Sequence, residues 1–232
     1  MKKILLTTLL IAIALNVNAG GKGDDPLLMK VMGQLETRRT NVSNPTVLEV
    51  KAWIGKDLNK FWIKTDVERV DGEIEEYELQ FLYSKAISPY WDFQLAWRYD
   101  KNPTQRKNWL AAGFQGVAPY FFEIDAVAFI AEGNQINLRF EVEYEMMFTQ
   151  KLVLLPEVTF DFYTKDNDSL NLGSGLLSSE IGLRLRYEVT RELAPYIGVN
   201  WQNLYGNTAD YAQADGEQDR GAQLFMGISA WF

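Results

Sequence analysis

Five carboxylates recur at alternate positions along two neighbouring stretches of the chain, Glu141-x-Glu143-x-Glu145 and then Glu157 and Asp161. On an extended strand this spacing puts side chains on one face, and a row of oxygen donors suits hard cations better than soft ones. Met29 and Met32 offer the opposite chemistry, since thioether sulfur is a soft ligand appropriate to Cu(I). The two differ in pleat parity, as do Met146 and Met147, so neither pair chelates one ion on a strand. The candidate metal-binding set is therefore Glu141, Glu143, Glu145, Glu157, Asp161, Met29 and Met32. The competing readings are an ion-paired interior for the acids and ordinary packing for the methionines. Asp166-Asn167-Asp168 and Asp215-x-Glu217-x-Asp219 are oxygen-rich but lack the full spacing of a calcium loop.

Two absences exclude much else. The chain has no Cys and no His. Disulfides, thiolate nucleophiles, Cys zinc sites, the Ser-His-Asp triad and imidazole bases are all ruled out. No catalytic residue is assigned, and an enzyme is not expected. A net charge of −8 with no offsetting basic stripe argues against nucleic acid as a partner.

The elements that must hold these residues are strands. From Ile136 to Phe148 the apolar residues Ile136, Leu138, Phe140, Val142, Tyr144, Met146 and Phe148 alternate with Asn137, Arg139, Glu141, Glu143, Glu145 and Met147. A helix would scatter both sets around its circumference. The same period of two runs through Leu152–Phe162 and Ile181–Val189, and less cleanly around 48–54, 76–83 and 91–98. Aromatics make up 13% of the chain and gather near the ends of these segments, as interfacial girdles do. The final segment places Leu224, Met226, Ile228, Ala230 and Phe232 on one face. The pattern predicts an all-β, transmembrane, antiparallel up-and-down barrel whose greasy face meets lipid and whose charged face lines the lumen.

The N-terminus fits that destination. Lys2 and Lys3, the apolar run Ile4–Leu15 and the exit Val17-Asn18-Ala19 read as a cleavable signal peptide over residues 1–19. Its loss would take the net charge from −8 to −10. Residues 20–26 then form a flexible leader, and residues 27–232 the barrel.

Connections set the strand count. The short turns carrying Pro89-Tyr90, Pro119-Tyr120 and Pro195-Tyr196 belong at the periplasm, and the long polar stretches 100–107, 165–178 and 206–219 outside. With Phe232 at the periplasmic end, parity requires a first strand over Met29–Arg39 and twelve strands in all. Pro156, inside a good strand, is expected to mark a bulge. After Pro119, Tyr120-Phe121-Phe122 leaves the facing open by one residue.

Several stretches together resemble the bacterial copper resistance protein B family of outer-membrane proteins. They are Trp53–Arg69, Gly116-Val-Ala-Pro-Tyr120, Glu143-Tyr-Glu145 with Thr149-Gln150, and Gly182–Tyr187 through Ala194-Pro-Tyr196. The resemblance covers residues 27–232. It implies a barrel in the cell outer membrane, contacting outer-membrane lipid, that binds copper ions or moves them across that membrane. A periplasmic multicopper oxidase is the partner it implies. Many members carry a Met- and His-rich segment ahead of the barrel, whereas here GGKGDDP stands there and His is absent. No ligand set is carried over from that segment. The alternative function is a non-specific or differently selective small-solute pore.

Overall fold

The computed structural model describes residues 25–39, 44–103, 105–132, 135–166, 172–214 and 219–232. The expected signal peptide and most of the leader lie outside the described residues.

Twelve strands follow in chain order: β1 Leu28–Arg39, β2 Thr46–Lys56, β3 Asn59–Val70, β4 Glu73–Ser88, β5 Trp91–Lys101 and β6 Arg106–Val117. The circuit continues through β7 Phe122–Ala131, β8 Gln135–Tyr144, β9 Leu152–Tyr163, β10 Gly175–Tyr187, β11 Leu193–Leu204 and β12 Arg220–Trp231. Each pairs antiparallel with the next, and β12 pairs back onto β1 from Met32↔Trp231 to Arg39↔Leu224. The sheet closes on itself, so no strand edge is left open. Past the last seam pair, Val31 and Phe232 exchange two backbone hydrogen bonds of 2.9 and 2.8 Å.

The alternation decides which side faces out. Leu35, Ile54, Ile63, Leu95, Leu110, Ile130, Leu138, Ile181, Ile197, Leu224 and Met226 are all well exposed and share the outward face. A belt of exposed aliphatics on that scale would be untenable in water and is what hydrocarbon requires. Ring pairs such as Phe93–Phe114 and Phe122–Tyr144, with Phe232, sit towards the periplasmic end of that face. No helix among the described residues is long and apolar enough to cross a membrane. The membrane is crossed by strands.

Pro156 does not mark a bulge. The β9–β10 register runs through Pro156↔Leu183 without a shift and slips only between Asp161 and Phe162. What the missing N–H of Pro156 does is interrupt the other ladder. β8 pairs with β9 as far as Glu143↔Glu157, pauses, and resumes as the two-residue extension Met146–Met147 on the same register. After Pro119, Tyr120 and Phe121 both take φ of 66°, a left-handed conformation costly to bulky residues. This settles the open facing: Phe122 points outward opposite Tyr144, and Glu123 inward opposite Glu143.

At the outer end, the long connection 205–219 contains a helix, α1 Gly206–Ala214, which pattern reading left as loop. Thr208 accepts a hydrogen bond from Gly173 N at 2.8 Å. Asp166 accepts from Ser174 N at 2.6 Å and Asn207 Nδ2 at 3.3 Å, clasping two outer connections together. Those donors, the Ser174 backbone first, hold its carboxyl below the ordinary aspartate range.

Candidate functional site in the lumen

The inward face divides into three levels of different chemistry. At the outer level the charges of β5, β8 and β9 are tied to partners. Arg98 on β5 makes a bidentate pair with Asp100 at 2.6 and 2.9 Å and reaches Glu78 on β4 at 2.8 Å. Trp109 Nε1 donates to the same Asp100 at 2.8 Å. Beneath these pairs lies an apolar cluster of Trp109 and Ala111 on β6 with Phe129 and Ala131 on β7, and Tyr163 of β9 packs against it. Trp109 meets Phe129 and Tyr163 edge-on at 6.4 and 6.3 Å. The guanidiniums of Arg98 and Arg139 lie over the Phe129 ring at 4.9 and 6.0 Å. Arg139 also pairs with Asp161 at 3.1 Å, and Asn137 donates to that carboxylate at 3.1 Å. This side of the outer level is closely packed.

The middle level is different. The register sets Glu123 of β7, Glu143 of β8 and Glu157 of β9 in one row. Asp125 of β7 and Glu141 of β8 form a second row beside Thr159. Five carboxylates thus share one wall, all on the inward parity. Among the described residues none of the five has an ion-pair partner within 4.0 Å. Asp125 Oδ1 is a buried oxygen with no hydrogen-bond partner. The balancing cations stand on other strands. Lys51 of β2 attracts Glu141 and Glu157, Lys64 of β3 attracts Asp125 and Glu141, and Arg184 of β10 attracts Glu143 and Glu157. The acids are crowded on this wall, while Lys51, Lys64 and Arg184 stand on other strands among further carboxylates, Glu49 and Asp66 included.

At the periplasmic level the lumen opens into a cavity of about 310 Å³, among whose lining residues are Lys30, Met32, Arg184, Arg186, Glu188 and Tyr196. A smaller pocket of about 50 Å³ lies beyond Arg184 and Tyr196, which line both.

The structure distributes the sequence-predicted set across all three levels. Glu141, Glu143 and Glu157 come together on the acidic wall. Glu145 falls in the gap of the β8–β9 ladder, across from Leu155, lines the periplasmic cavity and pairs with Arg186 at 3.4 Å. Asp161 belongs to Arg139 and Asn137 at the outer level. Met32 lines the periplasmic cavity, whereas Met29 shares the outward face with its pair partner Ile54. Glu123 and Asp125 join the wall unforeseen, because the facing of β7 was open by one residue. Among the described residues no three acidic side chains are arranged to hold a metal ion. A wall of this kind offers successive weak oxygen contacts instead of one closed coordination sphere.

The family model described as copper resistance protein B precursor (CopB) matches residues 27–232. Copper resistance protein B of Escherichia coli is 41% identical over 202 residues, covering 87% of this chain and 68% of that protein. The copper resistance protein B homolog of Pseudomonas syringae pv. tomato (strain ATCC BAA-871 / DC3000) is 39% identical, covering 87% and 69% respectively. Among solved structures, the NanC porin aligns with a TM-score of 0.61 at 11% identity, over 86% of this chain and 98% of that one. The KdgM porin gives 0.55 at 8% identity, over 86% and 98%. Outer membrane phospholipase A from Escherichia coli gives 0.51 at 10% identity, over 87% and 92%. Likeness at such identities concerns the barrel alone, and the barrel itself is what the relatives share at 39–41% identity. The chain belongs to the copper resistance protein B family and is an outer-membrane β-barrel of that family.

Proposed function

We propose that this barrel serves copper resistance by binding copper ions or moving them across the outer membrane, with copper as cargo rather than as a resident cofactor. The observation that carries the reading is the extent of the family match, which coincides with the barrel from before β1 to Phe232. What the family shares is then a property of the wall and lumen. Within the lumen, the unpaired carboxylates Glu123, Asp125, Glu141, Glu143 and Glu157 supply the donors, and oxygen donors suit Cu(II) better than Cu(I). Met32 adds one thioether at the periplasmic mouth, where a multicopper oxidase would meet the barrel. The role requires no catalytic group, in keeping with a chain free of His and Cys.

The test compares a deletion strain complemented with the native chain or with Glu141→Gln/Glu143→Gln/Glu157→Gln. Copper survival and accumulation are measured beside zinc and a neutral solute. The reading expects copper tolerance to fall in the deletion and in the triple variant, with the neutral solute unaffected. Equal phenotypes for all three solutes favour a generic pore. Native copper tolerance in the triple variant, with no copper retained by the purified protein at micromolar metal, removes the carboxylate wall from the account.

A further inference from the structure

The cavity at the periplasmic end of the lumen holds an arginine that is drawn towards Glu143 and Glu157 of the acidic wall without pairing with either. Arg184 lines it, and among the described residues this guanidinium has no ion-pair partner within 4.0 Å. Its Nε is buried with no hydrogen-bond partner. The group lies over the rings of Tyr196 and Phe225 at 4.9 and 5.7 Å, which fixes its plane without using its donors. The space for those rings is built into the wall: a Cβ at Gly198 would stand 2.1 Å from Phe225, and one at Gly227 2.6 Å from Tyr196. Next to it, Arg186 makes long contacts of 3.4 Å to Glu145 and 3.3 Å to Glu188, and among the described residues its Nε is likewise buried and unpartnered. Lys30, poised over Trp231 at 4.8 Å, and Arg191 add to the cationic side.

We propose that this chamber binds a small carboxylate-bearing organic solute, with Arg184 as the principal partner of the carboxylate and Arg186 beside it. A planar guanidinium presents paired N–H donors that match the two oxygens of a carboxylate. An Arg held flat on rings has lost its rotamer freedom before the ligand arrives, so less is lost on binding. A chamber of about 310 Å³ is at the lower end of ligand pockets, which sets the solute at a few to about a dozen heavy atoms. Glu188 and Glu192 on the same lining give a second point of contact for a solute that also carries an ammonium, as an α-amino acid does. The site stands independently of whether copper passes the barrel.

The experiment uses the refolded full-length protein in detergent, titrated with propionate, alanine, methylammonium and inorganic phosphate, and read by calorimetry. The native chain is expected to bind propionate saturably at millimolar concentration, and alanine more tightly. Arg184→Gln is expected to weaken both at least 10-fold. Gln34→Glu, which leaves Arg184 in place but sets an internal carboxylate on the lining of its chamber, is expected to weaken both as well. Both variants are compared only where they retain the heat-modifiable migration of a closed barrel. Absence of saturable propionate binding by the native chain overturns the proposal. So does native-like binding by both variants, or tighter binding of phosphate or methylammonium than of propionate.

Discussion

The outer and middle levels of the lumen are built from the same residue types to opposite effect. Outside, the charges beside the ring cluster have named partners: Arg98 takes Asp100 and Glu78, Arg139 takes Asp161, and both arginines cover Phe129. In the middle, five carboxylates face one another across adjacent strands, none with an ion-pair partner among the described residues. Paired charges among rings make a rigid packing, whereas crowded acids repel one another and are balanced only at a distance. A barrel needs the first for stability. The second costs stability, so it points to a use.

The largest expected effect lies in the outer level. Arg98→Ala strands Glu78 and Asp100 and uncovers Phe129, and it should destabilise the refolded barrel by about 3 kcal/mol in urea unfolding. Phe129→Ala removes the ring that both arginines cover and should cost a similar amount, about 3 kcal/mol, by the same measurement. Gly198→Ala, whose Cβ would stand 2.6 Å from the Leu183 carbonyl oxygen, should cost about 2 kcal/mol through overpacking. By contrast, Glu141→Gln/Glu143→Gln/Glu157→Gln should move stability by less than about 1 kcal/mol, because it relieves repulsion without breaking a pair. Its signature is instead functional: the cation-to-anion permeability ratio of single channels should fall. A loss of stability equal to that of Arg98→Ala would erase the distinction between the two levels.

The smallest effect concerns the outer connections. Asp166 has its carboxyl lowered by the Ser174 and Asn207 donors, so the clasp is in full force above the ordinary aspartate pKa. It should weaken only as pH falls through the lower, folded value. Limited proteolysis of the connections 164–174 and 205–219 should accordingly stay constant from neutrality into mild acid and rise only below the ordinary aspartate range. Asp166→Asn should show the raised cleavage at every pH.

How much of this was legible depended on whether a strand has one greasy face or two. β8 alternates without exception from Ile136 to Tyr144, so its facing, and with it Glu141 and Glu143, could be read directly. β10 was nearly as plain, whereas β9 carries Val153 and Leu155 on its inward face and Pro156 after them, and its register stayed open. β6 and β7 were not: Trp109-Leu110-Ala111-Ala112 and Val127–Ala131 are apolar on both faces because one side meets lipid and the other meets the internal cluster. Where periodicity vanishes, the inward aromatics Trp109 and Phe129 look like any lipid-facing residue. The missing alternation is itself the signal, since a strand greasy on both faces means that the lumen beside it is filled. The choice of partners inside the lumen was beyond pattern reading, because Arg139–Asp161 and Arg184 on Tyr196 depend on registers between strands. Pro156 shows the same limit: its lost donor was foreseen, but which neighbour would miss it was not.

The seam between β1 and β12 carries a consequence for assembly. Its hydrogen bonds join the two segments furthest apart in the chain, and those at its periplasmic end involve Phe232 itself. Every other ladder joins sequence neighbours and can zip locally, so the last pairing bears the greatest loop-closure entropy. Until it forms, ten inner strands are satisfied while two unpaired edges remain, and in hydrocarbon each bare N–H or C=O along them is costly. Sealing is thus the all-or-none step by which an assembling polypeptide becomes a membrane resident, and until the last strand docks the bilayer offers it no stable partial product.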